Sequence, residues 1–289
     1  MRTSSRLGYA ERIERAVALL ERNAAEGSAT SLTDLASAAA LSPFHFHRVY
    51  RVMTGEPVGD LIARVRLGAA IPLLDRAILD ATVQSGYATS QAFARALKDR
   101  TGATPSELRN DPDRRQQAEE ALMRPSYSQP TPPPIRVEIV SVAPLRLTAI
   151  RNVGDYAELN HGFERLMDFV MGQVGPDDIA GLYGVPHDDP RETQPQDCRF
   201  DCAVSTTKAI SSEDPLQVIE FPGGSALRLV HCGDYDAIHD VADALYREAV
   251  EGDLPITDAP LLIHYLHDPE VAPVEQLVAH VFLRVETSS

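Results

Sequence analysis

Tryptophan is absent from this sequence, and cysteine occurs only three times among its 289 residues. Three cysteines are too few for a disulfide framework, which argues against a small secreted protein held together by such bonds. The chain has no run of about 18 apolar residues, so we expect no membrane-spanning helix. The first residues also lack the apolar segment of a secretory signal. The sequence therefore predicts a cytoplasmic protein that makes no contact with a membrane.

Net positive charge is lacking too, since the chain carries a formal charge of −15. The charge is unevenly distributed, however. Residues 1–116 hold 16 Lys and Arg against 13 Asp and Glu, a net charge of +3, whereas the residues after them have a net charge of −18. A slightly basic first part and a strongly acidic second part indicate different partners, and only the first part is suited to nucleic acid.

The first part has helical periodicity over residues 9–109 and contains an internal repeat. Residues 48–55 resemble residues 95–102 at an offset of 47. Other pairs matched at this offset are Phe46 with Phe93 and Ser42 with Thr89. A constant offset over several residues predicts two copies of one helical motif. The predicted helices span residues 9–23, 32–36, 44–53, 57–74, 78–85 and 90–100.

After residue 110 the composition changes. Residues 111–134 are rich in charge and then in proline, which predicts an extended, semi-rigid linker. From residue 135 onward, short β-like runs alternate with single helices. The predicted strands span residues 137–140, 145–151, 200–206, 226–232 and 278–285, and the predicted helices span residues 163–171 and 238–250.

A second repeat occurs in this part, at an offset of 79. Gly154-Asp155-Tyr156 matches Gly233-Asp234-Tyr235 at this offset. The pattern predicts two copies of one strand–helix–strand–strand unit around a pseudo-twofold axis, with a cleft between them that is a natural ligand site. The predicted fold class is multidomain: an all-α double helix-turn-helix domain over residues 1–110, a linker over 111–134, and a duplicated α+β domain over 135–289.

A helix-turn-helix motif places its second helix in the major groove of double-stranded DNA. Side chains outside the core spacing of that helix are candidates for contact with bases or phosphates. Arg can donate two hydrogen bonds to guanine, and Gln can pair with adenine in the same way. The alternative, solvated charges on ordinary helices, stays open for any single residue. The candidates are Phe44, His47, Arg48 and Arg51 in the first motif, and Ser90, Gln91, Arg95 and Lys98 in the second.

These motifs resemble the DNA-binding domain of the AraC family of transcription regulators. The resemblance implies that DNA is contacted by Phe44, His47 and Arg48 in the first motif and by Ser90, Gln91 and Arg95 in the second, and that RNA polymerase is a partner. The sequence departs from the family at Pro72, which lies in the predicted helix over residues 57–74 between the two motifs. We expect Pro72 to kink this spacer helix. The matching stretches are Leu41-Ser42-Pro43-Phe44-His45-Phe46-His47-Arg48, Thr54-Gly55-Glu56-Pro57, Gln91-Ala92-Phe93-Ala94-Arg95 and Gly102-Ala103-Thr104-Pro105.

Residues 135–286 resemble the GyrI-like, or effector-binding, domain, which follows an AraC-type module in Rob-like regulators. This resemblance implies a duplicated α+β fold and a small-molecule effector. The stretches that carry it are Gly154-Asp155-Tyr156, Cys198-Arg199-Phe200-Asp201, Pro222-Gly223-Gly224, His231-Cys232-Gly233-Asp234-Tyr235 and Tyr265 with Asp268-Pro269.

Many members of that family carry a glutamate two residues before the tyrosine that Tyr265 matches, where its carboxylate would pair with a cationic ligand. Here that position is Ile263, which implies a neutral or apolar effector. Strand alternation puts Leu261, Ile263 and Tyr265 on one face, and by resemblance that face lines the cleft. Tyr156 and Tyr183 are further candidates for the cleft wall. The alternative that these are ordinary core residues stays open.

The sequence predicts no metal, no cofactor and no catalytic residue. His45 and His47 face different directions on a helix, so they cannot share a metal ion. Cys198 and Cys202 are same-face neighbours on a strand, and a metal site with His231 or Cys232 is disfavoured. Two alternatives to a ligand-responsive regulator stay open: the GyrI-like domain acts as a small-molecule hydrolase, or it only contacts another protein.

Overall fold

The computed structural model describes residues 4–123, 135–211 and 213–287, except for the side chains of residues 4–7. These residues form two compact units, a helical unit over residues 7–123 and a β-rich unit from residue 135 onward. The helical first part and the antiparallel sheet with helices in the second part confirm this much of the predicted fold class.

The helical unit consists of short helices joined by tight turns. Its second half has a buried apolar core that includes Leu67, Ile71, Phe93 and Leu97. All six helices predicted over residues 9–100 have a counterpart, with ends that differ by a few residues. The helices are α1 (Ser4–Ala25), α2 (Leu32–Ala38), α3 (Pro43–Thr54), α4 (Val58–Ala70), α5 (Ile78–Gln84), α6 (Ser90–Thr101), α7 (Pro105–Asn110) and α8 (Pro112–Leu122).

The two repeated helices, α3 and α6, begin and end in the same way. The hydroxyls of Ser42 and Thr89 accept hydrogen bonds from backbone N–H groups of the first turn, at 3.2 and 3.1 Å. Both helices stop at a left-handed glycine, Gly55 with φ 76° and Gly102 with φ 73°. Glycine adopts this conformation without the steric cost of a Cβ atom. The residues that the repeat matches thus form equivalent caps and stops in the two motifs.

Pro72 changes the spacer helix. The α-helix predicted through residue 74 ends as α4 at Ala70, and a 3-10 helix over Ile71–Asp75 continues the chain. Proline has no backbone N–H to donate, and its ring clashes with the carbonyl four residues earlier, so an α-helix does not continue through it. The structure thus shows a change of helix type at residue 71, and the predicted kink at Pro72 stays a prediction.

The predicted linker begins too early. Residues 112–122 form α8, which Asp111 caps by accepting hydrogen bonds from two backbone N–H groups at its start. Ala118 and Leu122 on this helix are buried in the core of the helical unit. Burial of these two apolar side chains attaches α8 to the helical unit, despite its high charge. The proline-rich remainder of the predicted linker lies outside the described residues.

The β-rich unit is an antiparallel sheet with two helices. The strand order is β1-β6-β8-β7-β3-β4-β2-β5. The sequence prediction missed β3, in which Gly181 and Gly184 lower the strand propensity, and the short strand β5. The elements are β1 (Val137–Val142), β2 (Leu145–Val153), α9 (Leu159–Met171), β3 (Ile179–Pro186), β4 (Arg199–Thr206), β5 (Leu216–Phe221), β6 (Gly224–Cys232), α10 (Ile238–Gly252), β7 (Leu262–Tyr265) and β8 (Val278–Arg284).

Two short connections curl this sheet. Only Ala143 and Pro144 join β1, at one edge, to β2 near the other edge. The three residue steps span at most about 11 Å. Pro222 and Gly223 join β5 to β6 across the same gap, and a Cβ atom on Gly223 would lie 2.6 Å from the Cδ atom of Pro144. The sheet edges must therefore approach each other at this end.

The two faces of the sheet have different neighbours. Helix α9 packs on β2 and β4, and α10 packs on β6 and β8. We call the side that they cover the helix face; it carries the cross-strand neighbours Ile150, Cys202, Ile263 and Val281. We call the opposite side the inner face. The inner face holds an apolar cluster made of Leu147, Ala149, Tyr183, Val185, Ala203, Phe221, Ala259 and Leu262.

Candidate functional site

Helix α6 of the second motif presents an exposed polar face. Gln91, Arg95 and Lys98 are exposed, as predicted, while Phe93 on the opposite side is buried. Ser90 is half-buried, and its hydroxyl accepts a hydrogen bond of 3.2 Å from Thr82. The exposed residues are four and three positions apart, so they lie on one side of the helix. Two long cations and an amide are thereby available to base edges and phosphates.

Helix α3 of the first motif differs. Arg48, Arg51 and Phe44 are 0%, 5% and 9% exposed, and His47 is half-buried. The prediction that Phe44, Arg48 and Arg51 face solvent is wrong for this conformation of the chain. One physical reason is local: the Arg48 guanidinium lies 5.0 Å from the centre of the Phe44 ring, one turn away. A cation stacked on an aromatic ring folds back along its own helix. The proposed DNA contacts of all eight side chains stay predictions.

On the helix face of the sheet, Ile263 and Tyr265 lie side by side with aromatic neighbours. Ile263 is 1% exposed, and Leu261, just before β7, is also buried. The Tyr265 ring contacts Phe163 of α9 and Tyr235, with ring centres 5.6 and 4.8 Å apart. Burial raises the pKa of the Tyr265 hydroxyl, so this group stays protonated at neutral pH. The arrangement offers apolar and aromatic surface and a neutral hydroxyl, with no carboxylate at position 263.

Tyr156 is fixed at the same face. Its hydroxyl lies 3.1 and 2.6 Å from the carbonyl oxygens of Asp188 and Arg199, within hydrogen-bonding distance. Its ring packs against Phe200 and His239, with centres 5.1 and 5.0 Å away. Burial raises the pKa of Tyr156. Its hydroxyl is therefore a structural anchor, and its predicted contact with a ligand stays a prediction.

Tyr183 lies on the opposite side of the sheet from Ile263. Its cross-strand partner on β7 is His264, and the two rings stack with centres 4.5 Å apart. Adjacent residues of a strand point to opposite faces, so Tyr183 and His264 share the inner face. The structure does not bring Tyr183 to the face that carries Ile263 and Tyr265. Tyr183 therefore does not share a wall with Ile263 and Tyr265, and its role at the ligand cleft stays a prediction.

Sequence reasoning missed Phe163 and Tyr235 as neighbours of Tyr265. A signal for Tyr235 was present, because the repeat at an offset of 79 matches it to Tyr156. Phe163 carried no such signal, since its position over β7 depends on how α9 packs across the sheet. Both side chains come from elements more than 25 residues away from β7.

An open cavity of about 190 Å³ lies near the start of α9, at a place that the sequence did not indicate. Its wall combines acidic, basic and apolar side chains. None of the five predicted ligand residues lines it. The lining residues are Asn152, Val153, Gly154, Asp155, Glu158, Leu159, His161, Gly162, Arg165, Cys198 and Phe200.

Cys198 and Cys202, considered above as metal ligands, offer little reactivity. Cys198 and Cys202 are buried, and burial raises the pKa of both thiols. Protonated thiols are poor nucleophiles and poor metal ligands. Among the residues that the structure describes, no group of three or more His, Cys, Asp or Glu side chains is placed to hold a metal ion. Within the same residues, no helix is long and apolar enough to cross a membrane.

Comparison with known proteins gives two family matches. Residues 136–286 match the GyrI-like small molecule binding domain, and residues 35–111 match a helix-turn-helix domain. YosT, a protein of the SPbeta prophage of Bacillus subtilis, is 24% identical over 136 residues, which are 45% of this chain and 89% of YosT. The Right origin-binding protein of Escherichia coli K12 is 34% identical over 86 residues, which are 29% of this chain and 30% of that protein.

Among solved structures, the C-terminal domain of EcmrR covers 53% of this chain and 99% of its own length, with 12% identity and a TM-score of 0.46. The chain thus spans about a third of the Right origin-binding protein and nearly all of YosT. The GyrI-like match extends over more than half of the 289 residues. This protein therefore belongs to the GyrI-like small molecule binding domain family, and it carries an AraC-type helix-turn-helix domain in front of that domain.

Proposed function

We propose that this protein is a DNA-binding transcriptional regulator that responds to a small neutral or apolar molecule. The helical unit is the DNA-binding part, and RNA polymerase is its further partner. The acidic GyrI-like domain binds the effector and repels DNA, which leaves the helical unit as the binding surface. Relatives named as transcriptional regulators, including Rob of Salmonella typhimurium, support a regulator over an enzyme.

The observation that carries the DNA-binding proposal is the exposed face of α6. Gln91, Arg95 and Lys98 project from one side of a well-capped helix in an AraC-type motif. Arg and Gln are the side chains that read guanine and adenine in the major groove. The core of the same helix is apolar, so these polar groups are not needed for folding.

Binding to selected DNA tests the proposal. Duplexes recovered from a random-sequence library by the full-length protein are compared with scrambled duplexes by fluorescence anisotropy at several salt concentrations. We expect the selected duplexes to bind at least about 10³-fold more tightly, with an affinity that falls as salt rises. Equal affinity for selected and scrambled duplexes would contradict sequence-specific binding.

The side chain at position 263 supports the proposed class of effector. Ile263 is buried beside Tyr265 on the helix face and supplies no charge to balance a cation. A thermal-shift screen of the full-length protein with neutral apolar compounds and with organic cations tests this. We expect stabilisation by members of the neutral set and none by the cation tetraphenylphosphonium.

Replacement of Ile263 sharpens that screen. Ile263→Glu places a carboxylate beside the aromatic rings, so we expect this variant to gain stabilisation by tetraphenylphosphonium, while the apolar control Ile263→Leu does not. Stabilisation of the unaltered protein by cations alone would contradict a neutral effector. If no compound stabilises it, a domain that only contacts another protein becomes the better description.

We also propose that the GyrI-like domain is a duplicated unit. Hydrogen bonds repeated at an offset of 79 support this. The Tyr156 hydroxyl approaches the carbonyl oxygens of residues 188 and 199, and the Tyr235 hydroxyl approaches those of residues 267 and 278. The N–H of Gly154 likewise donates to residue 198, and that of Gly233 to residue 277. Helices α9 and α10 also begin at this offset, at residues 159 and 238.

A further inference from the structure

The first helix-turn-helix motif contains a buried polar network, and its members Tyr50, Glu56 and Arg64 are not among the predicted DNA-contacting residues. Glu56 is completely buried and accepts two hydrogen bonds from Arg64, both of 2.9 Å. It also accepts one of 2.6 Å from the hydroxyl of Tyr50, on α3. Burial and the neighbouring Glu56 raise the pKa of Tyr50, so its hydroxyl keeps the donated proton. The rotation of α3 about its axis is thereby tied to the position of Glu56.

The same arginine also reaches the end of α8. The remaining Nη atom of Arg64 donates a buried hydrogen bond of 2.7 Å to the carbonyl oxygen of Leu122, the last residue of α8. The last carbonyls of a helix have no partner within the helix, and a cation at this end is favourable. Arg64 therefore joins the C-terminus of α8 to α3 through Glu56. Residue 122 is 58 positions from residue 64 in the sequence.

The second motif manages without such a network. At the repeat offset of 47, Tyr50 corresponds to Leu97 and Glu56 to Ala103, which are both buried and apolar. The surrounding backbone is held in the same way in both motifs. Thr54 donates to the carbonyl of residue 50 at 2.8 Å, and Thr101 donates to that of residue 97 at 2.7 Å. The two equivalent turns thus differ chiefly in their buried side chains, which are polar in the first motif and apolar in the second.

Stability gives no reason for this difference. A buried ion pair is costly to desolvate, and well-packed apolar residues of similar volume often replace it at no loss. The second motif demonstrates an apolar solution for the same turn within the same chain. The polar network adds directional hydrogen bonds. They fix the side chains of Tyr50, Glu56 and Arg64 in one geometry, and that geometry depends on the position of the end of α8.

We propose that Glu56 and Arg64 are positioning residues that make the orientation of α3 depend on the end of α8. Helix α6 has apolar residues at the positions equivalent to Tyr50 and Glu56, so no polar network at these positions links its orientation to α8. The importance of α3 rests on the proposed DNA-binding function. Because α8 is the last described element before the residues that lead to the GyrI-like domain, a displacement at its end reaches the first motif through Arg64.

A helix-weakening substitution on α8 tests this coupling. Gln117 is exposed on α8, and Gln117→Gly lowers the helix propensity there, while Gln117→Ala is the matched control. In the full-length protein we expect Gln117→Gly to speed amide hydrogen exchange in α3 by about threefold and Gln117→Ala to leave it unchanged. The same change in the exchange rate of α3 is then measured in a protein that also carries Arg64→Lys. Lysine keeps the charge, but its single ammonium group cannot donate two parallel hydrogen bonds to the Glu56 carboxylate and also reach the carbonyl oxygen of Leu122.

In the Arg64→Lys background we expect the effect of Gln117→Gly on α3 to disappear, while its effect on α6, which also contacts α8, stays the same. The proposal is overturned if Gln117→Gly speeds exchange in α3 equally with and without Arg64→Lys, or if it does not speed exchange in α3 in the parent protein. If Arg64→Lys unfolds the helical unit, the combination Tyr50→Leu, Glu56→Ala and Arg64→Leu replaces it; the first two changes copy Leu97 and Ala103 of the second motif, and the third removes the guanidinium. The exchange measurement needs no DNA, so its outcome is separate from that of the duplex-binding experiment.

Discussion

The two helix-turn-helix motifs of this protein share a sequence pattern and differ in what they bury. Helices α3 and α6 both have 12 residues, begin after a hydroxyl cap and end at a left-handed glycine. Yet the predicted reading face of α6 is exposed, whereas Arg48 and Arg51 on α3 are buried. The first motif buries the ion pair of Glu56 and Arg64, and the second motif has the apolar Ala103 at the position equivalent to Glu56. Repetition of sequence thus reproduced local structure, and the tertiary environment separated the motifs.

Removal of Glu56 has the largest expected effect. Glu56→Ala leaves the buried Arg64 guanidinium without its carboxylate, which we expect to lower the free energy of unfolding by about 3–5 kcal/mol. The exposed control Glu26→Ala changes it by no more than about 0.5 kcal/mol. Urea unfolding followed by circular dichroism measures both. A loss below about 1 kcal/mol for Glu56→Ala would make the two motifs energetically alike and contradict this contrast.

The second-largest effect is expected for replacement of Tyr50, and this effect should depend on pH. Tyr50→Phe deletes a hydrogen bond to a charged group, for which we expect a loss of about 1.5–3 kcal/mol near neutral pH. The folded-state pKa of Tyr50 lies above its ordinary value of 10.0, so the stability that Tyr50 contributes is fully present below pH 10 and is lost as the pH rises towards the folded value. The difference between the two proteins should therefore shrink above pH 10.

Urea unfolding from pH 7 to 11 measures that difference. Tyr156→Phe in the β-rich unit is a second test of the same linkage, because burial also raises the pKa of its hydroxyl, so we expect its difference to shrink above pH 10 as well. A difference for Tyr50→Phe that stays constant through pH 11 would show that the pKa of the hydroxyl is the same in the folded and the unfolded protein, and it would contradict the prediction.

DNA binding compares the two proposed reading helices, α3 and α6. Arg95→Ala removes an exposed cation from α6, so we expect operator affinity to fall by about 1–3 kcal/mol, with a change in stability below about 0.5 kcal/mol. Arg48→Ala should weaken binding over the same range but also lower stability, because its buried stem loses packing. The exposed control Arg22→Ala on α1 has the same charge change. Unchanged affinity in both Arg95→Ala and Arg48→Ala, at defined salt, would count against these reading helices.

The caps should give the smallest and most similar effects. Ser42→Ala and Thr89→Ala each remove one hydrogen bond to the first turn of a helix, at a cost of about 1 kcal/mol. Because the two caps are equivalent in geometry, we expect their losses to agree within about 0.5 kcal/mol in urea unfolding. A cap that costs more than twice the other would show that local structure, too, depends on the surroundings of each motif.

Much of the fold was predictable from the sequence where the signal is local. The caps Ser42 and Thr89, the stops Gly55 and Gly102 and the change of helix type near Pro72 all follow from the conformational preferences of single residues. Helix α8 was missed because only Ala118 and Leu122 are apolar enough to bury, and strand β3 was missed because its glycines resemble a loop. Both elements are stabilised by contacts with distant parts of the chain.

The candidate sites show the same division. The exposed positions of α6 follow from helical periodicity, and so do the apolar positions of its core. That Tyr183 faces away from Ile263 follows only from the register of β3 with β7, which joins residues about 80 positions apart. The aromatic neighbours of Tyr265 likewise depend on the packing of α9 across the sheet.

The sequence by itself determined the repeats, the limits of α3 and α6, the separation of a basic helical part from an acidic β-rich part, and the missing carboxylate at position 263. These depend on residue type and on spacing within a few turns. Tertiary structure alone decided that Arg48 is buried, that Tyr183 and Ile263 lie on opposite faces, and that Arg64 reaches the carbonyl of Leu122. Such features depend on which distant segments pack together, and short-range sequence patterns carry no information about that choice.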